Sequence, residues 1–384
     1  MSQTKAQLVS GTTAQDLTVD NINTTSVNSG QLSNRNIIIN GAMEVAQRGT
    51  SFTGIDTNAK YPVDRFLMTN STGSARHTGT QDTDSPANFK NSIKSNCTTA
   101  SSGLTSTSLD QFKIEYRVEE KGFEWVQFGT ANAQALTLSF YIKSSQTGDT
   151  AVALVNSDNT RSFVHKFTIS STDWQRVTVN VPGDTGSSWH NGVIGIRIRW
   201  GSFGTTYQTS TFDQWQAGQK MTTNSNQINF AAATGNTLQI TGVQLEPGST
   251  ATDFQHRSFA EELKLCQRYY QQIARSSSTN SVDGTFAAGT CNNNAGNGGI
   301  LQTMVRFQTT MRAAPTMSDS GTFSFHVSGV NVADTSTAYN KAFVDGVKIT
   351  ATQTAFVVTS GFCGELTSKY SDTSTATIKA DAEL

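Results

Sequence analysis

The chain has 384 residues, 15% of them charged, and a net charge of −1. Ordinary globular domains carry about 25% charged residues; here Ser, Thr, Asn, Gln and Gly fill the gap, and these suit strands and turns better than helices. The near-neutral balance offers no overall basic field for nucleic acid or anionic lipid, and no apolar run approaches the ~18 residues of a membrane helix, so neither nucleic-acid binding nor membrane insertion is expected.

Residues 1–34 are polar, with Leu8, Leu17, Val19, Ile22, Val27 and Leu32 scattered among Ser, Thr, Asn and Asp. That is too little apolar surface to offset the ordering entropy of a free segment. The stretch reads either as a tail or as an attachment segment that orders by pairing with other chains.

Residues 35–257 read as strands. Phe112, Ile114, Tyr116 and Val118 alternate with polar residues, as do Leu136, Leu138, Phe140 and Ile142. Phe163, Phe167 and Ile169 share a face with His165 between them. Val177, Val179 and Val181 follow, then Ile194, Ile196, Ile198 and Trp200, alternating with Gly195, Arg197 and Arg199. Period-two patterning places one face on a core and the other toward solvent. In the run from Leu238 to Leu245 the parity changes at Gly242, which predicts a β-bulge. Six or more such strands without a helical period predict an all-β fold, a jelly-roll β-sandwich.

One helix is expected next, over 258–275. Ser258 and Glu261 fit a capping box, and Phe259, Leu263, Cys266, Tyr270 and Ile273 form one stripe at spacings of four, three, four and three. The stripe packs on its own sandwich or, being heptad-like, meets copies of itself on an axis. Residues 276–384 return to short alternating pairs, such as Phe323 with Phe325 and Phe356 with Val358, and predict a second, smaller β-domain.

Chemistry-bearing patterns are sparse. G-x-S-x-G, P-loop, G-x-G-x-x-G and H-E-x-x-H patterns are missing from the sequence, and no cofactor, metal or catalytic residue is assigned. Cys97, Cys266, Cys291 and Cys363 are far apart and are expected to be buried, reduced and apolar in role. Asp82 and Asp84 supply two oxygens where a hard cation needs six or more. Glu115, Glu119, Glu120 and Glu124 read as a wet strand edge. Aromatics in turn-rich segments are the better candidates for function. Trp189 beside His190, and Trp215 near Tyr207, would stack on the apolar face of a sugar if exposed, and would cap the sandwich core if not.

Several blocks, in order, resemble a family of bacteriophage tail and virion proteins that carry a carbohydrate-binding-module-like jelly roll. They are Asn34 to Gly49 (NRNIIINGAMEVAQRG), Tyr61 to Phe66 (YPVDRF), Leu136 to Ser145 (LTLSFYIKSS), Val181 to Thr185 (VPGDT), Ile240 to Gly248 (ITGVQLEPG), Ala251 to Ser258 (ATDFQHRS) and Leu265 to Tyr270 (LCQRYY). Phe307 to Thr316 and Ile378 to Leu384 look like what often follows. The resemblance implies a virion location, with assembly in the host cytoplasm, and contact with other virion proteins through residues 1–34. It also implies a homotrimer and adhesion to host surface polysaccharide. A passive head or tail decoration fibre without a ligand, and a polysaccharide depolymerase, stand as alternatives.

Overall fold

The computed structural model describes residues 35–71, 73–101, 111–186, 189, 192–223, 227–276, 284–293, 298–327, 330–353, 361–368 and 375–384. The expectations for residues 1–34, for His190 and for Phe356 and Val358 lie outside them. Residues 36–384 form one compact body.

Thirteen strands among the described residues build a sandwich: β1 (Ser51–Ile55), β2 (Lys60–Val63), β3 (Phe66–Asn70), β4 (Arg76–Asp82), β5 (Ser92–Thr99), β6 (Gln111–Glu119), β7 (Leu136–Ser144), β8 (Gly148–Val155), β9 (Arg161–Ile169), β10 (Gln175–Val181), β11 (Ile194–Phe203), β12 (Trp215–Ala217) and β13 (Thr237–Pro247). One sheet runs β1-β4-β5-β13-β7-β10 and the other β12-β9-β8-β11-β6-β3-β2. All the ladders are antiparallel, and the crossovers are those of a jelly roll. The alternating residues do what their period requires. Phe112, Ile114, Phe140, Ile142, Ile198 and Trp200 share one core, with Phe140 edge-on to Trp200 at 5.5 Å. Each such side chain contributes about 2–3 kcal/mol by leaving water.

The outer face of the seven-stranded sheet departs from the expected solvated side. Ala151, Ala153, Val155 and Val164 point outward there and are buried beneath Phe203, Tyr207 and Met221. The segment after β11 folds back over the sheet, so β8 is buried on both faces. Glu115, expected on a wet edge, is fully buried, because β6 lies between β11 and β3 rather than at an edge.

After the sandwich come α1 (Phe259–Gln267), β14 (Tyr270–Ser276), β15 (Thr285–Asn293), β16 (Gly299–Arg306), β17 (Thr316–Ser320), β18 (Phe323–Val327), β19 (Val330–Phe343), β20 (Gly346–Gln353), β21 (Cys363–Ser368) and β22 (Thr375–Asp381). Six of these strands close a small barrel in the order β15-β16-β20-β19-β18-β21, and β14-β22-β17 form a separate sheet. Leu301, Phe325, Ile349, Leu366 and Ile378 lie in the core they share.

The helix is shorter than expected. Ser258 caps it through Glu261 N–H, but it stops at Gln267, and Tyr270 to Ser276 pair with Thr375 to Asp381 as strand. That partner lies a hundred residues downstream, so its pull has no local signature. The inward face is Glu262 and Cys266, while Phe259 stays 56% exposed. The heptad-like stripe is therefore cut in half. Three cysteines are buried as expected; Cys363 is exposed.

The sandwich and the C-terminal strands meet at an ionic seam. Arg65, 2% exposed, pairs with Glu383, donates to the Arg117 carbonyl at 2.7 Å and lies 3.5 Å from the Tyr269 ring centre. Arg48 stacks on Tyr270 at 3.7 Å and reaches Asp64, Asp381 and Glu383 at 3.5, 3.2 and 3.4 Å. Asn40 N–H donates to Glu262 at 2.6 Å, and Arg257 donates to the Ile38 carbonyl at 3.0 Å. Four of the resembling blocks, together with the Ile378 to Leu384 ending, thus converge on one joint.

Candidate functional site

The structure places the sequence-predicted aromatics in packing roles. Trp189 is 3% exposed, edge-on to Phe128 at 4.8 Å and to Trp215 at 5.0 Å, and its indole N–H donates to Asp184 at 2.7 Å. Arg161 pairs with the same carboxylate. Trp215 is half-buried against the core, with its N–H on the Pro182 carbonyl at 2.7 Å. Tyr207 is 4% exposed in the outer apolar layer. Trp189 and Tyr207 therefore offer no free ring face. The turn residues around them mark backbone bends and say nothing of burial. Trp189 and Trp215 sit together at one end of the sandwich; Tyr207 does not join them. The DxD carboxylates are also taken: Asp82 by Lys94 at 3.0 Å, and Asp84 by Lys143 at 2.8 Å and the Trp174 indole at 3.0 Å. These donors, the Lys143 bond first, hold Asp84 below the usual carboxylate range. Among the described residues no three His, Cys, Asp or Glu side chains gather as a metal cluster.

A different set of aromatics forms an open groove of about 570 Å³ on the outer face of the six-stranded sheet. Its floor is a row across three strands, with Arg176 of β10 opposite Tyr141 of β7, and Tyr141 opposite Thr241 of β13. At the next position β13 bulges, and the register slips between Thr241 and Gln244. Gly242 takes φ 60° there, and a Cβ on it would stand 2.7 Å from Phe89 and 2.9 Å from Tyr141. Only glycine allows both the backbone turn and the two rings above it.

Beyond the bulge, two buried polar side chains, Gln244 and Glu246, fix the groove wall. Gln244 accepts from Gln255 N–H at 2.8 Å, and Glu246 accepts from Thr252 N–H at 2.9 Å and its hydroxyl at 2.6 Å. They hold Asp253, Phe254 and His256 against the sheet. Phe89 sits between the rings of Tyr141 (5.4 Å), Phe254 (5.0 Å) and His256 (5.3 Å), and Phe254 is edge-on to His256 at 4.8 Å. Arg176 donates to the Thr252 carbonyl at 2.6 Å. Asn88 and Ser139 complete the lining.

The groove combines ring surfaces with a guanidinium, a carboxylate, an amide and hydroxyls. Its size lies within the ~300–1,000 Å³ usual for small-molecule sites. Tyr141 had a readable signal: it is an aromatic at an outward position of a strand whose inward positions are already filled by Leu138, Phe140 and Ile142. Phe89, Phe254 and His256 lie in connections, with no such pattern.

No family model matches the sequence, and neither does any curated protein. Solved structures with some likeness include a Bacteroides thetaiotaomicron protein described as sugar-binding (14% identity, 56% of this chain and 100% of that one, TM-score 0.31). Another is the family 11 carbohydrate-binding module of a Clostridium thermocellum cellulosomal cellulase (12% identity, 51% and 98%, TM-score 0.26). A family 4 carbohydrate-binding module gives 12% identity, 54% and 98%, with a TM-score of 0.26. Scores this low carry no weight for ligand or activity; the all-β architecture stands on its own strand order.

Proposed function

We propose that this chain is a non-catalytic, glycan-binding structural protein of a phage virion, a tail fibre or receptor-binding component, and that the Tyr141–Phe254 groove is its sugar site. The observation that carries the reading is the groove itself. Aromatic side chains are held over a glycine bulge with polar groups at their margins, the combination that stacks on a pyranose face and bonds its hydroxyls. Among the described residues, Asp253 is the one carboxylate lining the groove, whereas glycoside hydrolysis uses a pair across the scissile bond; this supports adhesion over depolymerisation. The virion setting rests on the resemblance of the ordered blocks, and so does the trimer, now that the stripe in α1 is cut short. Several copies would raise the avidity of a weak single site by about 10²–10⁴.

The test is a glycan array on the full chain, with Tyr141→Ala beside the wild type. The wild type is expected to retain host surface polysaccharide, and the variant to lose at least tenfold in signal at an unchanged melting temperature. A folded Tyr141→Ala that binds as the wild type does would remove the groove from the reading. A wild type that retains no glycan would favour the passive decoration fibre.

A further inference from the structure

The opposite sheet carries a charge imbalance that the whole-chain balance conceals. Lys113, Glu115 and Arg117 point outward from β6, and Arg197 and Arg199 from β11. The register sets Arg199 opposite Glu115 but Arg197 opposite Arg117, and like charges directly across a ladder destabilise it. Four cations thus stand around one side-chain carboxylate, and Arg117 Nη1 also donates to the Leu384 main-chain oxygen. Glu115 receives Arg117 Nε and Arg199 Nε, both at 2.5 Å, with Lys113 Nζ at 3.3 Å. Glu119, the next acidic residue outward on β6, is held by Arg268 at 2.8 Å and by the Tyr269 hydroxyl at 2.9 Å. Asp158 is the other carboxylate whose field reaches Arg197.

The donors of Arg197 show where compensation is missing. Its Nη1 meets only neutral acceptors, the Ser157 carbonyl at 2.7 Å and Asn159 Oδ1 at 3.2 Å. Its Nε is buried with no acceptor. Arg199 Nη1 shares Asn159 at 3.2 Å and faces the Met221 sulfur at 3.1 Å, a weak acceptor. Burial pushes Lys113 down to about 8, with Arg199 and Arg117 adding to the push. Solvent reaches the row at Arg117, whose side chain is 27% exposed, and at Lys113, 13% exposed.

We propose that Arg197, Arg117 and Lys113 form a binding site for a compact oxyanion, such as the carboxylate of a uronic acid or a phosphate ester, distinct from the aromatic groove and on the other sheet. An oxyanion supplies what water cannot, a negative charge together with acceptors for the guanidinium donors.

The test is titration calorimetry on the full chain in chloride buffer at matched ionic strength, with inorganic phosphate and polygalacturonate as separate probes. Saturable binding of at least one probe is expected, weakened at least tenfold in Arg197→Gln. Binding of phosphate alone supports a phosphoryl-bearing ligand; binding of polygalacturonate alone supports a uronate. If Arg197→Gln does not fold, Lys113→Gln, at the solvent edge, carries the same expectation of weakening. No saturable binding of either probe overturns the proposal, as does binding that the folded Arg197 and Lys113 variants leave intact.

Discussion

Acid should loosen the sandwich through one buried imidazole. His77 points inward from β4, is fully buried, stacks on Phe112 at 4.1 Å and shares a 2.9 Å hydrogen bond with Ser95 through Nδ1. Its Nε2 has no partner, so a second proton would enter an apolar core unpaired. Burial pushes its pKa from 6.5 down to about 4. Between those values the unfolded chain binds a proton that the folded chain refuses. The contribution is therefore complete above pH 6.5 and is lost as pH falls toward 4. At ~1.4 kcal/mol per pH unit the full loss is about 3 kcal/mol. Asp64 acts in the opposite sense over part of this range, since burial raises its pKa to about 6, so the comparison must be made against a variant. His77→Phe keeps the ring stacking and removes the titration. Urea unfolding followed by tryptophan fluorescence isolates the sandwich, because Trp125, Trp174, Trp189, Trp200 and Trp215 all lie within it. The stability gap between wild type and variant should shift by about 3 kcal/mol in the variant's favour from pH 7 to pH 4. A gap that stays constant across that range would refute the argument.

Two further outcomes follow from packing. Trp189→Ala removes an indole from a cluster with Phe128 and Trp215 and leaves Asp184 short of a donor, so thermal unfolding should report a loss of about 3–5 kcal/mol; a change below 1 kcal/mol would mean that its ring does not pack there. A bulky thiol reagent should label one cysteine, Cys363, in the native protein, and should label Cys97, Cys266 and Cys291 only after denaturant is added, as mass spectrometry would count.

Most of the sandwich was legible because a period of two needs only local sequence, and the bulge at Gly242 showed as a change of parity. The end of α1 was not legible, since Tyr270 and Ile273 continue a helical stripe while their strand partner lies a hundred residues away. Burial of the outer layer over β8 was hidden for the same reason: Ala151, Ala153 and Val164 look like ordinary outward positions until Phe203 and Met221 are folded back on them. Trp189 and Tyr207 misled because glycine- and serine-rich flanks describe the path of the backbone and not what lies beside the ring. The burial of Glu115 was not legible, because four acidic residues close together in sequence suggest one shared surface, while the cations that neutralise it sit on the same strand and on one eighty residues away.

The ionic seam has a consequence for the order in which the molecule can be completed. Arg65 belongs to the start of the sandwich, yet the carboxylate that neutralises it is Glu383. A guanidinium buried without its counterion is strongly destabilising. During synthesis the ribosome must therefore add more than three hundred residues between the cation and its anion, and until it does, that corner of the nascent sandwich is better left open to water than closed. The C-terminal strands thus act as a late keystone: their arrival makes full closure of the earlier domain favourable.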